Sequence, residues 1–151
     1  MTRKNLVGLT SLAFIWVPSI AITGDATTLK EIMQGLRDDL VEVTDGLLVD
    51  DFEQVARGAM AIAEHPQIPA AQVQLVAAEL GPEMAAFKQL DMRVHDLSLE
   101  INAAAKALDR NAAISAYQRM IAGCFACHAA YKDRVAKVLV ESDRPRKTSD
   151  D

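Results

Sequence analysis

Five consecutive residues late in the chain, Cys124-Phe125-Ala126-Cys127-His128, contain the only two cysteines among its 151 residues. Two thiols separated by two residues, with an imidazole directly after the second, form the pattern through which a c-type haem is attached. Each thiol can add to one vinyl group of the macrocycle, and the adjoining imidazole then sits where it can ligate the iron. The same cysteines could also form a dithiol redox pair. Such pairs open a helix after a strand, where the helix dipole lowers the thiol pKa. Here both cysteines fall well inside a helical pattern, which disfavours that chemistry. No further His/Cys cluster is spaced for structural zinc, and the chain has neither a Gly-rich phosphate loop nor a Gly-x-Ser-x-Gly elbow. The chain is not expected to be an enzyme.

The elements that must position this motif read as four helices. Thr28-Leu29-Lys30-Glu31 is a capping box, followed by Leu29, Ile32, Met33, Leu36, Leu40, Val43 and Leu47 at helical spacing, which predicts a first helix from about Thr28 to Leu48. Asp50, with Glu53 three residues on, is positioned to cap a second helix carrying Phe52, Val55, Ala59 and Ile62, which stops at His65-Pro66 and Pro69. A short forerunner over 70–80 leads into a third helix that restarts at Pro82 and carries Phe87, Leu90, Val94, Leu97, Ile101, Ala104 and Leu108. A fourth helix, with Asn111 as its cap, carries the stripe Ile114, Tyr117, Ile121, Cys124, His128, Tyr131, Val135 and Val138 in alternating steps of three and four. Four amphipathic helices on short connections predict an all-α antiparallel four-helix bundle with one covalently bound haem c in part of its core. Cys124 and His128 fall on the seam of the last helix, and Cys127 lies one position beside it.

The chain ends and the charge add context. Arg3 and Lys4 precede an apolar run from Leu6 to Ile22, and Ser19 and Ala21 are placed as at a signal-peptidase site, so 1–21 reads as an export signal removed after Ala21. The run is short for a membrane span and contains Pro18, so no stable membrane insertion is expected after cleavage. Loss of Arg3 and Lys4 carries the net charge from -5 to -7. Bacterial haem attachment takes place outside the inner membrane, so the export signal and the haem motif agree on a periplasmic location. Residues 22–142 form one domain and 143–151 a charged tail expected to be disordered. An acidic chain excludes a nucleic-acid partner, which calls for a basic face.

A four-helix chain with Cys-x-x-Cys-His in its last helix, continuing as Cys127-His128-Ala129-Ala130-Tyr131-Lys132, resembles the cytochrome c′ family, including its low-spin members. The resemblance spans about Leu29 to Val140; in ordinary cytochrome c the motif lies near the N-terminus instead. It implies thioether bonds at Cys124 and Cys127 and His128 as proximal ligand. In such families the first helix covers the distal side. A methionine there gives six-coordinate, low-spin iron suited to electron transfer, and an apolar residue gives five-coordinate, high-spin iron that binds small gases such as NO and CO. The distal candidate is Met33, in a string Leu29-x-x-x-Met33-x-x-Leu36-x-x-x-Leu40 that also resembles the first helix of the soluble b-type four-helix cytochrome. The plainer reading of Met33 is a core residue. The resemblance also leaves a homodimer through the first two helices as an option that no residue decides.

Other residues are weaker candidates. Met60, Met84 and Met120 flank apolar stripes and read as packing residues, Met92 falls on an outer face, His95 lies beside a buried stripe, and His65 is a loop residue. Tyr131 is expected to pack on the haem or on a neighbouring helix, and Lys132 and Arg134 read as solvated cations within reach of a haem propionate. Asp38-Asp39 and Asp50-Asp51 read as a solvated face and a helix cap, since adjacent helical residues diverge by about 100°. The expected function is a one-electron carrier that meets a redox partner protein, with gas binding as the alternative.

Overall fold

The structure, a computed structural model, describes residues 27–142. The export segment 1–21 and the tail 143–151 lie outside the described residues. Five helices follow one another: α1 (Leu29–Val49), α2 (Phe52–Ala63), α3 (Ala70–Leu80), α4 (Met84–Lys106) and α5 (Arg110–Ser142), with a 3-10 turn at Gly81–Glu83 between α3 and α4. No strand occurs among the described residues, and none of their helices is long and apolar enough to cross a membrane.

Local chemistry sets most of these boundaries. Thr28 caps α1 through the expected capping box: its hydroxyl accepts from the Glu31 N–H, and the Glu31 carboxylate accepts from the Thr28 N–H at 2.7 Å. Two caps differ from the sequence reading by one or two residues. Asp51, not Asp50, caps α2 by accepting from Gln54 N–H at 2.9 Å. Asp50 instead closes α1 in the left-handed region at φ 61°, a conformation Asp tolerates better than most residues, and its carboxylate pairs with Arg110. Asp109 rather than Asn111 serves α5, accepting from Ala112 N–H. α4 stops at Lys106, so Leu108, expected on the buried stripe, is 70% exposed.

The packing is helix on helix, α1 on α2, α2 on α4 and α4 on α5, with α3 laid on α5. Tight turns at Asp50-Asp51 and over 107–109 make the joined pairs antiparallel. α2 spans only half the length of its neighbours, and the core divides accordingly. One cluster joins Val43, Val55, Ala59, Ile62, Leu97, Ile101, Ala116 and Met120 beneath α2. The other joins Leu29, Val76, Leu80, Tyr131 and Val135 beneath α3. Burying each large side chain contributes about 1.5–3 kcal/mol. The α1–α2 crossing is close because it is made on glycines. A Cβ on Gly46 would come within 2.9 Å of Asp51 O and Val55 Cγ2, and one on Gly58 within 2.9 Å of Asp39 O and Val43 Cγ2. α1 and α5, in contrast, share no extended close approach of their backbones.

Candidate functional site

Cys124, Cys127 and His128 lie near the middle of α5, where the two core clusters meet. Cys127 packs against the cluster of Leu29, Tyr131 and Val135, Cys124 is half-buried, and His128 is exposed. The two thiols are free. The most buried line of α5 runs through Ala113, Ala116, Met120, Gly123, Tyr131 and Val135. This corrects the expected seam: Ile114, placed on it by its spacing, is 36% exposed, and Met120, expected to flank it, is fully buried and accepts a hydrogen bond from Ser98 Oγ. The reason lies in α4. Small residues on α5 let α4 approach closely, to the point that a Cβ on Gly123 would stand 3.3 Å from Val94 Cγ2. The line facing α4 is therefore the one that is covered. Side chains fill the core, and the motif stands at its edge rather than in its centre.

The face of α5 that carries Cys124 and His128 looks toward α1. One polar contact and one apolar cluster fix this orientation. Tyr117 Oη lies 2.8 Å from Thr44 Oγ1 on α1, and Tyr131 and Val135 share a cluster with Leu29 at the start of α1. His128 follows Tyr117 by eleven residues, and Met33 precedes Thr44 by eleven residues. Eleven residues make three helical turns and about 20°, or about 16 Å along the axis. The two helices run in opposite directions, so the Thr44–Tyr117 contact carries over to Met33 and His128 at one level on facing sides. Cys124, seven residues after Tyr117, shares that face within about 20°. Met33 is 39% exposed, so it is not the core residue of the plainer reading.

The surroundings of the thiols bear on their chemistry. Burial pushes the Cys124 thiol above its usual pKa, and burial followed by the Asp91 carboxylate and Cys124 does the same to Cys127. Both are thus held as S–H, opposite to the activation a dithiol redox pair requires. Among the described residues no group of three or more His, Cys, Asp or Glu is placed to hold a metal ion, so the two cysteines and His128 do not form a chelating set by themselves. Two thiols on one side of a helix, an exposed imidazole one turn after the first of them, a thioether at the level of that imidazole on the facing helix and no extended backbone approach in between would suit a flat macrocycle joined at its edge and ligated at its centre.

The remaining candidates fall into place. Tyr131 is buried and meets Phe87 of α4 edge to face, with ring centroids 5.6 Å apart. Lys132 is exposed, as expected. Arg134 is not a free cation: it bonds the carboxylates of Glu79 and Glu83 and the Glu79 carbonyl, tying α5 to α3 and the turn after it. Met60 and Met84 are half-buried, Met92 is 54% exposed, and His95 pairs with Asp96. Arg37 pairs with Asp38, and Asp39 is pushed above the usual carboxylate range by burial, then by Glu42 and Asp38. The Thr44–Tyr117 contact was missed by the sequence reading, although a lone hydroxyl between Val43 and Leu47 of an apolar stripe was its visible signal.

Comparison with known protein families, curated proteins and solved structures finds no match to this chain.

Proposed function

We propose that this chain is a periplasmic monohaem c-type cytochrome of the cytochrome c′ kind that carries single electrons, with His128 as proximal and Met33 as distal ligand. The observation that supports it most is the Thr44–Tyr117 contact, from which helix geometry counts Met33 and His128 to a common level on facing sides of α1 and α5, with Cys124 on the same α5 face. Each thiol adds S–H across one vinyl double bond: sulfur bonds one carbon and the hydrogen ends on the other, so no oxidant or reductant is consumed. When bound, the haem supplies a one-electron iron couple. With both axial ligands kept through the redox cycle, little rearrangement would accompany an electron step. A neutral thioether on the distal side favours the ferrous form and raises the reduction potential. The acidic surface favours a redox partner with a basic docking face.

A second reading, a gas-binding protein with an open distal side, is favoured by the exposure of Met33, which packing does not lock in place. Visible absorption of the purified protein separates the two. A low-spin ferric spectrum with a sulfur-to-iron band supports electron transfer, and a high-spin spectrum that shifts under carbon monoxide or nitric oxide supports gas binding. A colourless protein rules out both and leaves the dithiol.

A further inference from the structure

The facing positions of Met33 and His128 depend on how α1 is set against α5, and these two helices share both apolar clusters but few polar links. Among the described residues one hydrogen bond joins them, between Tyr117 and Thr44, and the ion pair of Asp50 with Arg110 links the end of α1 to the start of α5. The direction of the hydrogen bond follows from counting protons. Thr44 Oγ1 has a single hydrogen and donates it to the Leu40 carbonyl at 2.7 Å, so Tyr117 O–H must donate to Thr44 Oγ1. The result is a relay from Tyr117 through Thr44 to the α1 backbone, partly buried and next to the cluster that contains Met120 and Val43. At the far end α1 is held by packing of Leu29 and by the Gln72 side-chain oxygen, which accepts from Leu29 N–H at 2.7 Å. Met33 stands between these two fastenings, one turn after Leu29.

We infer that the Tyr117–Thr44 hydrogen bond is a positioning clasp: it sets the register of α1 on α5 and thereby seats the Met33 thioether opposite His128. The inference rests on the haem reading above. Tyr117 and Thr44 touch neither the iron nor the thioether bonds; they act through the helix that carries Met33. Removing the phenol hydroxyl frees α1 to shift, and the six-coordinate form loses ground to a five-coordinate one. The loss corresponds to a single hydrogen bond, roughly a three- to tenfold change in that equilibrium.

The test uses full-length protein matured in a host that attaches haem, as wild type, Tyr117→Phe, Thr44→Val and the double variant, with mass, ferric absorption spectrum and carbon monoxide binding rate measured for each. The expected result is a wild type carrying one haem in a low-spin form. Both single variants should gain high-spin absorption and bind carbon monoxide roughly three- to tenfold faster, and the double variant should match the singles because all three remove the same bond. Thermal unfolding of the four proteins supplies a second readout, with the same non-additivity expected. Haem-loaded variants whose spectra and rates equal those of a low-spin wild type overturn the clasp alone. A haem-loaded but high-spin wild type overturns the seating of Met33 and the clasp with it, and a wild type without haem overturns the parent reading.

Discussion

At the scale of single residues, two methionines separate ligation from packing. Met33 is 39% exposed and Met120 is fully buried among Ala116, Leu97 and Ile101. Met33→Ala is expected to remove the sulfur-to-iron band and convert the ferric spectrum to high spin, while thermal unfolding of the haem-free chain barely changes. Met120→Ala is expected to cost about 2–5 kcal/mol in urea unfolding, because it leaves a cavity in the core, while Ser98 keeps its bond to the Val94 carbonyl and the set of axial ligands stays the same. Both methionines were visible in the sequence, but their roles were not equally so. Met33 sat on the expected stripe and Met120 beside it, yet burial ran the other way. Periodicity marks a face only to within about a third of a turn, whereas burial depends on which neighbouring helix comes close.

At the scale of elements, the sequence was most legible where a side chain bonds its own backbone and least where two helices meet. The capping box of α1 appears as read, since Thr28 and Glu31 contain all the chemistry it needs. The caps of α2 and α5 slipped by one and two residues because Asp50, Asp51 and Asp109 compete for short turns, and the Arg110 pairing helps to settle which acid serves which helix. Thr28→Ala should lower stability by about 0.5–2 kcal/mol, measured by thermal unfolding. Glu31 adds a pH signature. Its pKa is lowered from 4.5, chiefly by the Thr28 N–H, so its contribution is present above that value and disappears as pH falls through the lowered one. The stability gap between wild type and Glu31→Ala should therefore be open at neutral pH and close in acid. Gly58→Ala should destabilise the chain, since its Cβ meets the Asp39 carbonyl and Val43 at 2.9 Å and backbone cannot yield cheaply; a denaturation midpoint equal to wild type would contradict the close α1–α2 crossing.

At the scale of the whole molecule, the short α2 and the separate α3 divide the core in two, and the motif lies where the halves meet. An all-helical fold was legible because apolar steps of three and four run through each of the four expected helices. That α1 and α5 share few close backbone contacts was not legible, because the distance between two helices depends on what lies across from each. The proposed haem would be held by three groups on α5 and one on α1. The measurement that tests this account most directly is the mass of the full chain produced in a host that matures c-type cytochromes. One added haem, resistant to acid-acetone extraction and lost in the double variant Cys124→Ala, Cys127→Ala, is the result predicted. An unmodified mass with two titratable thiols would contradict it.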